Sequence, residues 1–355
     1  MLTLTKTAFY TRRTVNLTII GIILFIVLKI SWAGFSAYWQ KIHPPPPPPP
    51  TVAFGKLPRV NIPTSSHLGE IPVKINYSLE TIDNSLPEID RLAKVFFMPH
   101  PSLKLLSFER AKTLAGKMGF KNEPLALSAI LYQWNDLNYP GRTLKMDITS
   151  QNFTLNYDYA KEESVFEEKY NDSKEKAVQE VKDYLSDLSL FPEDLKEGVG
   201  EAQYLDRHGE TFIQALGKPP VDAVRVNLFR RNIEEFNILG VKRKSSLTNL
   251  FLSGNRDRAK RFLAINYYYY PIDSENFATY PLKTAEEAWK ELLDGEAFII
   301  SLNSADIKET LGIKKIYLAY LDTEDPQTYL QPIFVFEGEY DFLAYLPAIK
   351  EEMFQ

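Results

Sequence analysis

The sequence predicts an α+β fold in which an N-terminal transmembrane helix and a polyproline stalk precede antiparallel sheet units, each with a packed helix. Three observations predict it: residues 17–39 are one apolar segment, residues 44–50 are seven consecutive prolines, and helical patterns alternate with strand-like runs beyond residue 105. We expect six segments, namely a cytoplasmic tail (1–16), a transmembrane helix (17–39), a proline-rich stalk (40–56), an extended proline-rich lead-in (57–105), an α+β body (106–260) and a carboxyl-terminal α+β unit (261–355).

Charge and cysteine content narrow the functional classes. The first 69 residues contain seven Lys and Arg and no acid, so the remaining residues carry a net charge of −12 against −5 for the whole chain. An acidic body argues against nucleic acid as a partner, because phosphate binding needs clustered basic side chains. The absence of cysteine excludes disulfides, thiolate metal sites and thiol nucleophiles.

The anchor is predicted by the segment Leu17–Trp39, whose single charge is Lys29. At about 1.5 Å per residue such a helix spans roughly 34 Å, against a hydrocarbon core of about 30 Å. Near its far end, Trp32, Tyr38 and Trp39 suit the headgroup level and Lys29 can extend toward it, so we predict these four as membrane-interface residues. Basic residues ahead of the segment, Lys6, Arg12 and Arg13, predict a cytoplasmic amino terminus and a body outside the cell membrane.

A cleaved signal peptide is the alternative to a permanent anchor. Leu17–Leu28 has the length of a signal-peptide core, and Gly34-Phe35-Ser36 offers a small-x-small cleavage site. The apolar segment continues past Lys29 and ends in aromatic residues, which favours the anchor.

The seven prolines predict a polyproline II rod of roughly 22 Å, at about 3.1 Å per residue. Such a rod would hold a folded body away from the bilayer, although a ligand for a proline-recognising domain is an alternative. In the lead-in that follows, Ile71–Tyr77 and Ala93–Phe97 are strand-like, and we expect this segment to be extended and packed against the body.

Three amphipathic helices are predicted in the body. One begins at Ser107 and ends at Gly119, a second spans Ser173–Leu188, and a third has a capping box of Thr284 and Glu287 with Gly295 as its end. Strand-like runs follow each helix, which predicts an antiparallel meander after each one, with the helices on one sheet face. These runs are 144–157, 202–205, 211–216, 223–229, 262–270, 297–302, 316–321, 329–336 and 342–346.

Candidate chemical groups are few, and each has a structural alternative. His208 lies in Asp206-Arg207-His208-Gly209-Glu210, a combination compatible with proton transfer but more typical of a hairpin turn. The carboxylates Asp322, Glu324 and Asp325 could bind calcium weakly, or form a solvated loop. The basic stretches 242–244 and 254–258 could meet an anionic lipid surface or wall polymer, or be ordinary charged loops.

The run Tyr267, Tyr268, Tyr269 and Tyr270 is the predicted partner-binding element. On a strand it would place two rings on each face, so that one pair packs in the core and the other meets a partner protein or glycan. Burial of both pairs is the alternative.

No nucleotide-binding loop, nucleophile elbow or paired-histidine zinc motif occurs in the sequence. We therefore expect a membrane-anchored binding or regulatory protein without catalytic activity, cofactor or metal, whose partners are the lipid bilayer and an envelope or membrane protein. Two alternatives remain open: a cell-envelope hydrolase using paired carboxylates, and a self-associating structural surface protein.

The stretch Tyr280–Gly295 (YPLKTAEEAWKELLDG) resembles the "YP-x-S/T-x-EEA" helix of PepSY-type domains and of the related YycI/YycH regulators of bacterial sensor kinases. Residues 316–320 (IYLAY) and 329–337 (YLQPIFVFE) are similar to the strands that follow it in those domains. The resemblance covers residues 262–349. It implies a small α+β fold outside the cytoplasm, with an inhibitory or protein-binding role and no catalytic residues. The overall plan also resembles that of uncharacterised single-pass bacterial membrane proteins, which implies no activity.

Overall fold

The computed structural model describes residues 4–42, 49–62, 75–159, 162–209, 211–303 and 310–355. The chain divides into two compact units, Met1–Pro49 and Pro50–Gln355, and the second unit contains all of the sheets. The α-helices are α1 Leu4–Ile42, α2 Ser107–Lys117, α3 Lys174–Asp187, α4 Glu193–Lys196, α5 Arg258–Arg261 and α6 Ala285–Asp294. Two 3-10 turns, Glu163–Phe166 and Glu351–Met353, complete the helical elements described.

The strands form two sheets. In chain order they are β1 Asn76–Leu79, β2 Leu92–Phe97, β3 Leu125–Ala126, β4 Leu131–Asn135, β5 Arg142–Asp147, β6 Phe153–Tyr157, β7 Gly200–His208, β8 Thr211–Gln214, β9 Ala223–Leu228, β10 Ile238–Leu239, β11 Thr248–Ser253, β12 Phe262–Tyr267, β13 Asp273–Pro281, β14 Phe298–Ser301, β15 Thr310–Leu321, β16 Tyr329–Gly338 and β17 Leu343–Pro347. The described residues are thus mixed α and β, as expected.

The first unit is the single helix α1. Within it, Arg12–Ser36 is long and apolar enough to cross a membrane, and none of the side chains in its apolar window is buried. This helix contains the predicted span Leu17–Trp39 and continues past it at both ends. Trp32, Tyr38 and Trp39 project from it with more than half of their surface exposed, and their place at a membrane interface stays a prediction.

The nine-stranded sheet is antiparallel, with the order β3-β4-β5-β6-β12-β11-β9-β7-β8. Helices α2 and α3 cover one face because their apolar stripes, which include Leu114 and Val181, pack on inward residues such as Leu144 and Leu250. Side chains alternate along each strand, so the residues between these point to the opposite face. The predicted helices at 107–119 and 173–188 are confirmed, and Ser173 caps α3 through the backbone N–H of Lys176.

The eight-stranded sheet has β1-β15-β16-β17-β14 as its main order, with β2 joining β16 to β13 and β10 joining β15. Helix α6 covers one face, and its predicted capping box of Thr284 and Glu287 and its left-handed Gly295 terminus are confirmed. The expectation of wholly antiparallel units is wrong for two strands: β1 and β10 pair with β15 in parallel. Both arrive from distant parts of the chain rather than through a hairpin, so no tight turn imposes antiparallel pairing.

Three predicted boundaries are corrected by the contacts. The range 40–56 predicted as a stalk overlaps described elements at both ends, because α1 continues to Ile42 and Thr51 exchanges hydrogen bonds with Thr279 at 2.9 Å. The lead-in supplies β1 and β2 to the eight-stranded sheet, so residues 261–355 do not build that sheet alone. Strand β12, assigned to the carboxyl-terminal unit, belongs to the other sheet. Prolines 44–48 and residues 71–74 lie outside the described residues.

Candidate functional site

A large open groove of about 790 Å³ lies on the nine-stranded side of the body. Helix α3 forms one wall and the segment from Gly254 to Phe262 forms the other, while Glu168–Asp172 contributes to one end. This volume is in the range of binding sites for drug-sized molecules. The groove is therefore the candidate functional site.

Local sequence explains why the two walls stand where they do. The apolar stripe of α3 faces the sheet, so its polar residues Gln179, Glu180 and Asp183 face the groove. Opposite, Gly254 lies against the backbone of Glu168 and Lys169, where a Cβ atom would come within 2.2 Å of the Glu168 carbonyl oxygen. A glycine is required at this position because a larger residue would displace the wall.

One ion pair joins the two walls. Arg261 donates from Nε to Glu180 Oε1 at 2.9 Å and from Nη2 to Glu180 Oε2 at 2.7 Å, and a third donation reaches the Ser253 carbonyl at 2.8 Å. Burial lowers the pKa of Arg261, but its hydrogen bonds and charge interaction with Glu180 outweigh burial and raise the pKa above its ordinary value. The bidentate geometry fixes the width of the groove.

Aromatic rings form part of the groove lining. Tyr184 stacks on Phe262 with ring centroids 4.1 Å apart, and the guanidinium of Arg258 lies 5.0 Å from the Tyr184 centroid. Burial raises the pKa of Tyr184 to about 12, so this hydroxyl stays protonated at neutral pH. Arg258 makes no ion pair with any described residue, and the Asp187 carboxylate has no hydrogen-bond partner among them, so both are available to a ligand.

This arrangement suits binding. It offers the Arg258 cation stacked on an aromatic ring, exposed carboxylates along α3 and side-chain amides from Asn171 and Gln179. Among the described residues, no group of three or more histidines and acids is placed to hold a metal ion.

The tyrosine run has a different place from the one predicted. Strand β12 ends at Tyr267, so the remaining three rings follow it in an irregular segment. Tyr267 and Tyr270 are buried, with Tyr267 stacked on Phe153 at 5.6 Å, and they present no surface to a partner. Tyr268 and Tyr269 are half-buried, and only for these two does partner binding stay a prediction.

Tyr269 borders a buried ion cluster where the two sheets meet. Arg230 contacts Asp194 at 2.6 Å and Asp322 at 2.8 Å, and its guanidinium lies 4.7 Å from the Tyr269 ring. Burial raises the pKa of Asp322, and Arg230 offsets that effect only in part. The adjoining cavity of about 20 Å³ has room for a single water molecule, so these two aspartates do not face a substrate cleft.

Most of the other sequence candidates have structural roles. Glu324 forms an ion pair with Lys242 at 2.6 Å, and Asp322 forms one with Arg230. Two of the three carboxylates predicted to bind calcium are therefore paired with basic side chains of the protein. Arg243 and Lys244 both contact Asp341. His208 ends β7 at a turn containing Gly209 in the left-handed conformation, so the expected hairpin between β7 and β8 is confirmed.

No local pattern predicts that α3 and the 254–262 segment form one groove. The polar face of α3 and the basic stretch 254–258 were each evident, but their residues are about 80 positions apart. Gly254, at the start of the basic stretch, was the one sequence signal that two backbone segments approach each other closely here.

Comparison with known proteins assigns no family. No protein-family profile matches the chain, and no curated protein sequence matches it significantly. Among solved structures, the chain is similar to an uncharacterized protein from Eubacterium rectale, with 12% identity, a TM-score of 0.40, and coverage of 77% of this chain and 87% of that chain. A likeness this distant carries no argument about function, and the chemistry of the groove follows from its own side chains alone.

Proposed function

We propose that this protein is a single-pass, membrane-anchored binding or regulatory protein whose body lies outside the cytoplasm and has no catalytic activity. One observation carries the proposal: Arg12–Ser36 is an apolar helix with no buried side chains in its apolar window, whereas the other elements belong to a separate compact unit. A helix with apolar side chains on every side is stable in lipid rather than in water.

Three features support the orientation and the activity class. Arg12 and Arg13 precede the apolar core of the helix, which favours a cytoplasmic amino terminus. The groove is open to solvent, and the ion pair between Arg261 and Glu180 joins its walls. The groove does not enclose a pair of carboxylates away from water. A hydrolase with paired carboxylates needs two acids facing each other across substrate space, and the enclosed aspartates around Arg230 do not provide that space. The expected partner is an envelope or membrane protein or polymer.

Membrane extraction and protease accessibility test this proposal. We expect the full chain to stay in the membrane pellet after alkaline carbonate treatment, and its body to be digested when protease is added to spheroplasts. Replacing Ile23 and Leu24 together by arginine should release the chain, because each charge at the centre of a bilayer helix costs about 2.5–3.5 kcal/mol. Lys29→Gln is the control that should remain anchored. The proposed orientation would be contradicted if external protease left the body undigested. A cytoplasmic marker should also remain intact, which shows that the spheroplasts are sealed.

A further inference from the structure

The hairpin that joins β3 to β4 exposes large aliphatic side chains at one edge of the nine-stranded sheet. No charged residue occurs between Pro124 and Trp134. Within that range, four side chains leave between 36% and 59% of their surface exposed: Leu125, Leu127, Ile130 and Leu131. Single exposed leucines are common on folded proteins, but a continuous apolar patch marks a binding surface. We call residues 124–131 the apolar hairpin.

Hydrogen bonds within the protein fix the tip of this hairpin. The backbone N–H groups of Leu127 and Ser128 donate to the Leu131 carbonyl at 2.9 and 3.1 Å. The Ser128 hydroxyl accepts from the backbone N–H groups of Ile130 and Leu131 at 3.3 and 3.1 Å. These four N–H groups need no water, so the tip can enter the boundary of a hydrocarbon layer without the cost of unpaired donors.

A second apolar segment lies beside the hairpin, in the loop before α2. Leu103, Leu105 and Leu106 are more than half exposed, and Leu105 is 99% exposed. Other residues of this loop line a small cavity together with Ile148, whose backbone N–H donates to the Ile130 carbonyl at 2.8 Å. The loop and the hairpin therefore present their apolar side chains at the same corner of the sheet.

Basic side chains flank this corner. Residues 102–131 contain five Lys and Arg and two acids, a net charge of +3, whereas residues 70–355 together carry −12. Lys104, Arg110 and Lys121 are exposed and make no ion pair with any described residue. Lys104 and Arg110 line the same small cavity, and Lys121 lies three residues before the hairpin. A positive border on an acidic body favours a partner surface with negative charge.

This chemistry favours lipid over protein as the partner. Protein interfaces are enriched in tyrosine, tryptophan and arginine at their centres, and leucine is under-represented among the residues that dominate binding energy. In the described part of this corner, the large exposed apolar side chains are all leucine or isoleucine. Aliphatic side chains bordered by lysine and arginine are typical of elements that bind the surface of an anionic membrane.

The short connection to α1 keeps a lipid surface within reach. Helix α1 ends at Ile42, and the backbone N–H of Thr51 donates to the Thr279 hydroxyl at 2.9 Å. The eight intervening residues span at most about 30 Å. A folded unit of the length of Pro50–Gln355 is roughly 50 Å across. A bilayer that holds α1 is therefore accessible to the surface of the body.

From these observations we infer that the apolar hairpin, with the leucines of the adjacent loop, inserts into the headgroup region of an anionic bilayer. The leucines enter the boundary with the hydrocarbon, and Lys104, Arg110 and Lys121 bind lipid phosphates. The inference rests on the proposed membrane anchor, because that anchor holds the body next to lipid. It deepens the proposal by adding a second membrane contact, made by the body itself.

The absence of cysteine allows a fluorescent label to be placed at one chosen position. The test uses the full chain, with Leu127→Cys carrying the fluorophore NBD, reconstituted in phosphatidylcholine vesicles with and without phosphatidylglycerol. With phosphatidylglycerol, we expect a spin-labelled phospholipid to quench about half of the emission. High salt or pure phosphatidylcholine should lower that quenching at least twofold. Leu216→Cys is the matched control, because Leu216 is fully exposed beyond β8 at the opposite edge of the same sheet, and its label should stay unquenched.

A charge variant tests the basic border. In the chain labelled at position 127, the triple change Lys104→Gln, Arg110→Gln, Lys121→Gln should lower the quenching at least twofold, because each cation near an anionic surface adds to the attraction. The melting temperature should be unchanged, because all three side chains are exposed and unpaired among the described residues.

The control triple variant, Lys218→Gln, Lys290→Gln, Arg91→Gln, removes the same charges at exposed positions away from this corner and should leave the quenching unchanged. An unquenched label at position 127, equal quenching at position 216, or equal loss in both triple variants would overturn the inference. So would emission that shifts to the blue but does not respond to the lipid spin label, because the hairpin would then be covered by protein, such as a second copy of this chain.

Carbonate extraction of the same vesicles separates this inference from the anchoring proposal. Extraction of the chain would contradict the anchor and, with it, the inference. A chain that is retained while its label at position 127 stays unquenched would contradict the inference alone.

Discussion

The two sheets of the body differ in how many of their faces are covered. In the eight-stranded sheet, Phe334 and Phe336 on one face pack under α6, while Ile333 and Val335 on the other face pack against residues 60–62 and 239–241. In the nine-stranded sheet, one face lies under α2 and α3, whereas Val165, Phe166 and Phe212 cover the other face only around Phe251. The doubly covered sheet has little surface for a ligand, whereas the nine-stranded sheet borders the groove beside α3 and leaves residues such as Lys145 and Asn156 exposed. The first sheet supports the fold, and the second carries the candidate sites.

A core residue of the eight-stranded sheet and an exposed residue of the nine-stranded sheet should contribute unequally to stability. Phe336 is fully buried, so Phe336→Ala should lower the free energy of unfolding by about 3–5 kcal/mol. Asn156 is exposed, and Asn156→Ala should change it by less than about 0.5 kcal/mol. Denaturant unfolding of the body within the full chain measures both. A large loss from Asn156→Ala would mean that the exposed part of the nine-stranded sheet is structural.

A second prediction concerns the ion cluster around Arg230, at the junction of the two sheets. Arg230→Met leaves Asp322 buried without its cation and should cost about 3 kcal/mol, whereas adding Asp322→Leu should recover most of that loss because the remaining aspartate, Asp194, is partly exposed to solvent. Neighbouring Arg231 pairs with Glu197 at the surface, so Arg231→Met is the matched control and should cost less than about 1 kcal/mol. If the double variant is as unstable as Arg230→Met, the loss comes from the missing Arg230–Asp322 ion pair and not from the unpaired Asp322 carboxylate.

The smallest expected effect concerns pH. Hydrogen bonds from Lys260 and Tyr157 lower the pKa of Glu162 from its ordinary 4.5 to about 2. The ionised form is thus favoured in the folded state, so its stabilisation is present above pH 4.5 and disappears as the pH falls from about 4.5 to 2. Glu162→Gln should flatten the fall in melting temperature over that window. Glu275→Gln, at an exposed position, should leave the slope unchanged, and an unchanged slope in Glu162→Gln would refute the assignment.

Helix prediction succeeded where local chemistry decides the outcome. Ser173, Thr284 and Gly295 act through backbone groups within one turn, so the beginnings or ends of α3 and α6 could be inferred from the sequence. Prediction failed where partners are remote: the tyrosine run was assigned to a strand, but the chain leaves the sheet at Tyr267 to reach the junction around Arg230. Composition could not reveal that change of direction.

The apolar helix, its flanking charges, the three amphipathic helices and the absence of thiol chemistry could be predicted before any fold was known, because they follow from local pattern and composition. Which strands share a sheet, what covers each sheet face, and the contact of Arg261 with Glu180 across a groove became evident from the folded chain alone. The physical reason is that a strand's alternation identifies two faces but not what covers them. Coverage depends on segments far away in the chain, such as β1 and β10 beside β15.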